Sequence, residues 1–306
     1  RGGRPTASFL EGPSFDREGQ LFVVDLAWGR IFTVSPTGHF DLFTEYDGEP
    51  NGLKIHADGR IFVADFRHGI MVVDPKTRVV RPLLERSPTG RFKGVNDLVF
   101  ARNGDLYFTD QGLTGIHDPS GSLYRLRADG RLDQLLSNVP SPNGLVLDDE
   151  ERSVYLNVTR GNCVWRVPMT GEGKPYKVGV FIQMSGGLGG PDGIAADVEG
   201  NLAVAHFGLG SVWLFSKLGE PLLRIRSPEG LATTNLAFGG SGQRALFITE
   251  SESGCILRAD LLALHDPTKS RPVRMICLTT FCRDFLAARA CFAAALPGTE
   301  RWELSI

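Results

Sequence analysis

The stretch Asn96–Asp110, NDLVFARNGDLYFTD, decides how this chain is read, because its pattern returns five more times. Aligned on the first residue, the other copies begin at Glu11 (EGPSFDREGQLFVVD), Asn51 (NGLKIHADGRIFVAD), Asn143 (NGLVLDDEERSVYLN), Asp192 (DGIAADVEGNLAVAH) and Asn235 (NLAFGGSGQRALFIT). The heads recur at roughly 40 to 50 residues, the period of propeller blades. In each copy an apolar run meets a polar turn, such as Ala57-Asp58-Gly59 or Arg102-Asn103-Gly104, and a second apolar run follows. Asp-Gly or Asn-Gly between apolar runs is the strongest short hairpin signal.

Two further strand-like segments follow each hairpin, for example Arg30–Ser35 and His39–Phe43 in the first copy and Ser122–Arg127 and Leu132–Leu136 in the third. Each unit therefore reads as a four-stranded meander. Six of them arranged radially predict an all-β, six-bladed β-propeller with four-stranded blades around a central channel. A β-sandwich does not predict equal units carrying the same residue type at the same place, and a β-helix repeat is much shorter. Residues 1–260 are assigned to the propeller. The pattern stops after Asp260, and residues 261–306 are expected to form a tail. Either Val273–Leu278 supplies the outer strand of blade 6 or that strand is lost, and Leu278–Leu296 reads as an Ala-rich helix.

With 306 residues and 42% apolar composition the chain can bury a large core, and six blades account for nearly all of it. A formal charge of -2, a pI near 6.4 and scattered Lys and Arg give no basic stripe to neutralise phosphates, so nucleic acid is not an expected partner. No apolar run reaches the roughly 18 residues of a membrane span, and RGGRPTASFLEGP has no hydrophobic signal core. The chain starts without Met, which leaves room for upstream residues and a leader. Its five cysteines are an odd number without a Cys-x-x-Cys pair or a His at ligand spacing, the pattern of reduced thiols in a cytoplasmic protein. Nothing in the sequence addresses the oligomeric state.

In a propeller the innermost strands run along the channel, so the heads Glu11, Asn51, Asn96, Asn143, Asp192 and Asn235 should form a ring at one mouth. Two carboxylates and several carboxamides offer hard oxygen ligands, which suit Ca²⁺, Mg²⁺ or Mn²⁺ and argue against a thiolate or imidazole zinc site. Without a cation, converging carboxylates would repel and one would protonate. The same Asn-Gly and Asp-Gly pairs also serve as turn residues, an equally good account of Asn51 and Asn143. Glu is no turn former, so Glu11 fits that account badly. A second column, Asp25, Asp65 and Asp110 with Asn157 and His206 in its place later, is expected to bond backbone between blades, with His206 a candidate to face the pocket. Asp97 should point to the opposite strand face from Asn96. The insertion Gln111–Gly121 in blade 3 is a candidate substrate cover or an ordinary surface loop. The run Ser185–Pro191 lacks a P-loop ending, and its glycines are expected to let backbone approach the axis. No GxSxG elbow occurs, so a covalent nucleophile is the weaker mechanism.

The phrases LEGPSFD, GVNDL, SPNGLVL, GGPDGIA, TTNLAFGG and LFITESESG, in order and at blade spacing from Phe9 to Asp260, resemble the senescence marker protein, gluconolactonase and luciferin-regenerating enzyme family, regucalcin-like six-bladed propellers. They are similar also to squid-type diisopropylfluorophosphatase. The resemblance implies a divalent cation held by Glu11, Asn143 and Asp192, with Asn96 on metal or substrate and Asp192 as the base. Ca²⁺ is the first expectation, ahead of Mg²⁺, Mn²⁺ and Zn²⁺. It also implies hydrolysis of a sugar lactone such as gluconolactone, so the expected partner is a small-molecule lactone. A phosphotriesterase on the same site and a non-catalytic calcium-binding or interaction propeller are the alternatives.

Overall fold

A computed structural model describes residues 8–240, 242, 244–261 and 275–280. Six four-stranded antiparallel sheets follow one another along the chain, each a meander in sequence order, and together they form a six-bladed β-propeller. Blade 1 comprises Leu10–Phe15, Leu21–Asp25, Arg30–Val34 and Phe40–Glu45; blade 2 Pro50–Ile55, Ile61–Asp65, Gly69–Val73 and Val80–Leu84. Blade 3 comprises Val95–Phe100, Leu106–Asp110, Gly121–Leu126 and Leu132–Val139; blade 4 Pro142–Leu147, Ser153–Val158, Cys163–Pro168 and Gly179–Gln183. Blade 5 comprises Gly190–Ala196, Leu202–Phe207, Ser211–Phe215 and Pro221–Arg226. Blade 6 comprises Thr233–Gly239, Ala245–Glu250, Cys255–Asp260 and Met275–Thr280.

The second strands read as continuous apolar runs because both of their faces are covered. In blade 1, Leu21 and Val23 pack with Phe32, Val34 and Ile256 of blade 6, while Phe22 and Val24 pack with Leu53, Ile61 and Val63 of blade 2. Successive side chains leave opposite faces of a strand. One LFVV run therefore serves two blade interfaces. The fourth strands, such as Phe40–Glu45, are exposed and carry mixed sequence.

The tail contributes Met275–Thr280, which pairs antiparallel with Cys255–Asp260 as the outer strand of blade 6. The helix expected over Leu278–Leu296 is replaced by strand at Leu278–Thr280, and the rest of that segment lies outside the described residues. Among the described residues every strand of blade 6 thus comes from the C-terminal side, and none is shared with the N-terminus. Instead, the hydroxyls of Thr234 and Ser251 donate to the Leu10 carbonyl at 2.8 and 2.6 Å, and Phe15 meets Phe247 edge-on at 5.0 Å between centroids.

An orphaned buried carbonyl costs about 1–3 kcal/mol. Thr234→Val combined with Ser251→Ala is therefore expected to lower unfolding free energy by about that amount in urea titrations. A loss within about 0.5 kcal/mol, the scale of a neutral surface change, would show that apolar packing alone closes the ring.

Candidate active site at the channel mouth

The ladder slips at the same place in all six innermost strands. Between Val95 and Leu98 two residues, Asn96 and Asp97, oppose Thr109 alone, and equivalent bulges fall at the heads of the other five blades. A bulge leaves backbone groups unpaired and re-aims side chains. Polar side chains of the preceding or following blade satisfy the freed groups. Thr109 donates to the Asn143 carbonyl at 2.9 Å, Asn157 to the carbonyls of Asp192 and Gly193 at 2.6 and 3.2 Å, and Thr159 to that of Pro191 at 2.8 Å.

The register corrects three expectations. Thr233 pairs with Glu250 and Leu236 with Ile248, so Thr234 stands where Asn96 stands in blade 3, and Asn235 is the counterpart of Asp97. Asn235 is thus not one of the ring heads. Asp97 does not face away from the channel. The bulge turns it inward, and Asn235 Nδ2 donates to Asp97 Oδ2 at 3.3 Å from the blade directly opposite. The remaining blades carry glycine at this level, Gly12, Gly52, Gly144 and Gly193. A Cβ on Gly52 would lie 2.6 Å from Asp97 Oδ1, and one on Gly193 2.1 Å from Asn235 Oδ1. Finally, Asn157 pairs one position ahead of the Asp110 column. In that column Asp25, Asp65 and Asp110 accept the amides of Phe9, Glu49 and Gly94, each two residues ahead of its own head, at 2.8 to 2.9 Å. These bonds lie within blades rather than between them, and Glu250 makes the same bond to Ala232 in blade 6.

Above this pair opens a cavity of about 810 Å³ whose floor holds Glu11, Asn51, Asn96, Asn143 and Asp192. The four residues singled out in the sequence, Glu11, Asn96, Asn143 and Asp192, are brought together here, all buried. His206 is buried but lies outside the lining. The Gly-rich run approaches neighbouring backbone instead of the axis: a Cβ on Gly190 would meet the Thr159 carbonyl at 2.1 Å. The Gln111–Gly121 insertion lines the cavity wall from Gln111 to His117. Gln111, Ser141 and Arg160 also reach the site without having announced themselves. Gln111 directly follows the Asp column, and Arg160 sits in a 3-10 turn, Thr159–Gly161, with no recurring motif.

Asn96 Nδ2 donates to Gln111 Oε1 at 2.9 Å, which leaves the oxygen of that carboxamide as its available atom. Gln111 Nε2 in turn donates to Ser141 Oγ at 2.9 Å. Burial raises Glu11 well above the carboxylate range, and the charges of Asp192 and Asp97 raise it further. Burial likewise pushes Asp192 from 3.8 up to about 8, opposed first by the Asn143 side chain that bonds it and aided by Asp97. Asp97 is raised by burial against the pull of Lys54. Two neighbouring buried carboxylates with carboxamide oxygens beside them form a hard donor set that a divalent cation would neutralise. Among the described residues no three His, Cys, Asp or Glu side chains cluster, so carboxamides must complete such a site.

Residues 9–252 match the family described as the SMP-30/Gluconolactonase/LRE-like region. The chain belongs to that family. A family relative named lactonase drp35, from Staphylococcus aureus (strain bovine RF122 / ET3-1), is 32% identical over 263 residues, 80% of each chain. Among solved structures, a gluconolactonase of Xanthomonas campestris superposes with a TM-score of 0.72 at 26% identity, covering 81% of this chain and 85% of that one. A regucalcin of Agrobacterium tumefaciens, described as a calcium-binding protein, gives 0.67 at 26% identity over 79% and 81%. Among the described residues no helix is long and apolar enough to cross a membrane.

Raised carboxyls bind more protons folded than unfolded. Their contribution is fully present below the unfolded pKa near 4 and is lost as pH rises toward the folded value. Without divalent cations the melting temperature should therefore fall as pH rises from 5 through about 8, where Asp192 titrates. Saturating Ca²⁺ should flatten the profile. Calorimetric melts in chelator and in Ca²⁺ check this, and a cation-free profile that is flat or rising would show that the carboxylates ionise without help.

Proposed function

We propose that this chain is a cation-dependent lactonase that adds water across the ring ester of a lactone, with sugar lactones such as gluconolactone the first substrates to test. The observation that carries the reading is the convergence of Glu11 and Asp192, buried carboxylates from different blades, with Asn96 and Asn143 on the floor of a small-molecule cavity. Family relatives named lactonase and gluconolactonase support the reaction class, and the calcium-binding neighbour supports Ca²⁺ ahead of Mg²⁺, Mn²⁺ or Zn²⁺.

Glu11, Asn143, Asp192 and the Asn96 oxygen would hold the cation. When bound, a dication polarises the ester carbonyl and stabilises the oxyanion that develops there. Asp192 takes the proton of the attacking water. Beside a bound cation Asp192 would stay ionised and ready to accept that proton, and the bond from Asn143 and the charge of Arg160 favour the same form. As the ring C–O bond breaks, Asp192 returns that proton to the departing oxygen, and the product is a hydroxy acid. Gln111 holds Asn96 in place, and Asn157 fixes the backbone that presents Asp192.

The test is a panel of lactones and phosphotriesters with and without chelator. Phosphotriester turnover alone, or cation binding with no turnover, would replace the lactonase reading. Asp192→Asn keeps an oxygen ligand but removes the base. Lactone turnover at saturating Ca²⁺ should fall by about two to four orders of magnitude. Titration calorimetry on the same variant should still detect cation binding, whereas Glu11→Ala should abolish it. Near-parental turnover of metal-loaded Asp192→Asn would remove Asp192 from the base role.

A further inference from the structure

The walls of the cavity differ in character from its floor. The insertion that follows Gln111 places Leu113, 90% exposed, and Ile116, 73% exposed, on the wall, where Phe66 and Phe207 also lie. Large aliphatic side chains at the rim of a cavity, with two phenylalanines beside them, offer a surface for an apolar ligand to cover. These side chains do not ride on a free excursion. Thr114 Oγ1 donates to the Gln111 carbonyl at 2.6 Å and accepts the Ser141 amide at 3.1 Å, Gly112 N donates to the Gly94 carbonyl at 3.1 Å, and Gly115 and Asp118 form a bridge. The segment is thus pinned to blades 3 and 4, and its apolar side chains are presented in place.

Part of the polar wall is committed to itself. Gln111 takes the Asn96 amide and gives its own to Ser141, and Thr159 Oγ1 donates to the Pro191 carbonyl. A substrate rich in hydroxyls would have to draw on Arg160, His117 and Asn51, the polar groups of the lining outside these bonds. A volume of about 810 Å³ also lies toward the upper part of the range for drug-sized ligands and exceeds the need of an unsubstituted ring lactone.

We infer that the lactone this site is built for carries an alkyl chain, with the ring ester on the polar floor and the chain against Leu113, Ile116, Phe66 and Phe207. This rests on the lactonase reading and narrows it. The substrate is a lactone of an aliphatic hydroxy acid, and the insertion in blade 3 sets its chain-length preference.

The experiment compares kcat/KM for δ-valerolactone, δ-octalactone, δ-decalactone and gluconolactone on the cation-loaded full chain. Each fully buried methylene contributes at most about fourfold. The expected result is a rise of at least about tenfold from δ-valerolactone to δ-decalactone, consistent with partial burial of the chain. Leu113→Ser combined with Ile116→Ser should shrink the decalactone-to-valerolactone ratio by about fivefold or more, the loss expected when part of that burial is removed. Leu218→Ser, an equally exposed leucine outside the cavity, should leave both the ratio and the turnover unchanged. Turnover of gluconolactone with a flat or falling alkyl series overturns the chain assignment and leaves the lactonase reading standing. A rising series that the double variant does not alter overturns the role of the insertion. Absence of turnover on every lactone removes the lactonase reading, and this inference falls with it.

Discussion

One extra residue at the head of each innermost strand is the constraint on which the channel depends. A regular strand would alternate its side chains between two blade interfaces, as Leu21 through Val24 do, and would leave the axis lined by backbone. The bulge breaks that alternation where the strands converge and aims side chains at the axis. Its unpaired carbonyls then need partners, which come from Thr109, Asn157, Thr159, Thr234 and Ser251 in adjoining blades. The device that creates the site therefore also ties blade 3 to blade 4, blade 4 to blade 5 and blade 6 to blade 1.

Acidity is concentrated at the axis. Glu11, Asp97 and Asp192 act on one another there, with Lys54 and Arg160 as the opposing charges, and burial disfavours ionisation of all three. The pair of Asp97 and Asn235 spans the channel below the cavity, an arrangement that the absent side chains of Gly52 and Gly193 permit. Asn235 gives Asp97 a neutral hydrogen-bond partner beside the charge of Lys54. The negative potential is thus directed to the floor, where a dication gains most from it.

The blades, their boundaries and four of the cavity-floor residues were legible because hairpin turns and head residues recur at a fixed period. What was not legible lay on the two sides of the bulge. Counting by two from Asn96 sends Asp97 to the far face, and the count fails where two residues oppose one. The same failure shifted Asn235 onto the ring in place of Thr234, whose hydroxyl carries no sign of a head, and placed Asn157 in a column it does not occupy. The insertion was visible as a break in the period, but its position on the cavity wall follows from bonds to Ser141 and Gly94 that no local pattern encodes. Arg160 reaches the cavity from a turn without counterpart in the other blades.

Blade 3 joins these features mechanically. Its first strand carries Asn96 on the floor and Asp97 in the spanning pair, and its second ends in Asp110, which fixes Gly94, and Gln111, which fixes Asn96. Gln111 also begins the insertion, so the side chain that orients a candidate cation ligand sits one residue from the backbone of the apolar wall. Ser141 bonds both Gln111 and Thr114, which carries the coupling into blade 4 next to Asn143. The wall and Asn96 thus share one set of hydrogen bonds. In the proposed lactonase, substrate shape and cation affinity would be linked through this one hydrogen-bonded chain, and reciprocally, since any ligand that favours one arrangement of Gln111 favours whatever else that arrangement binds.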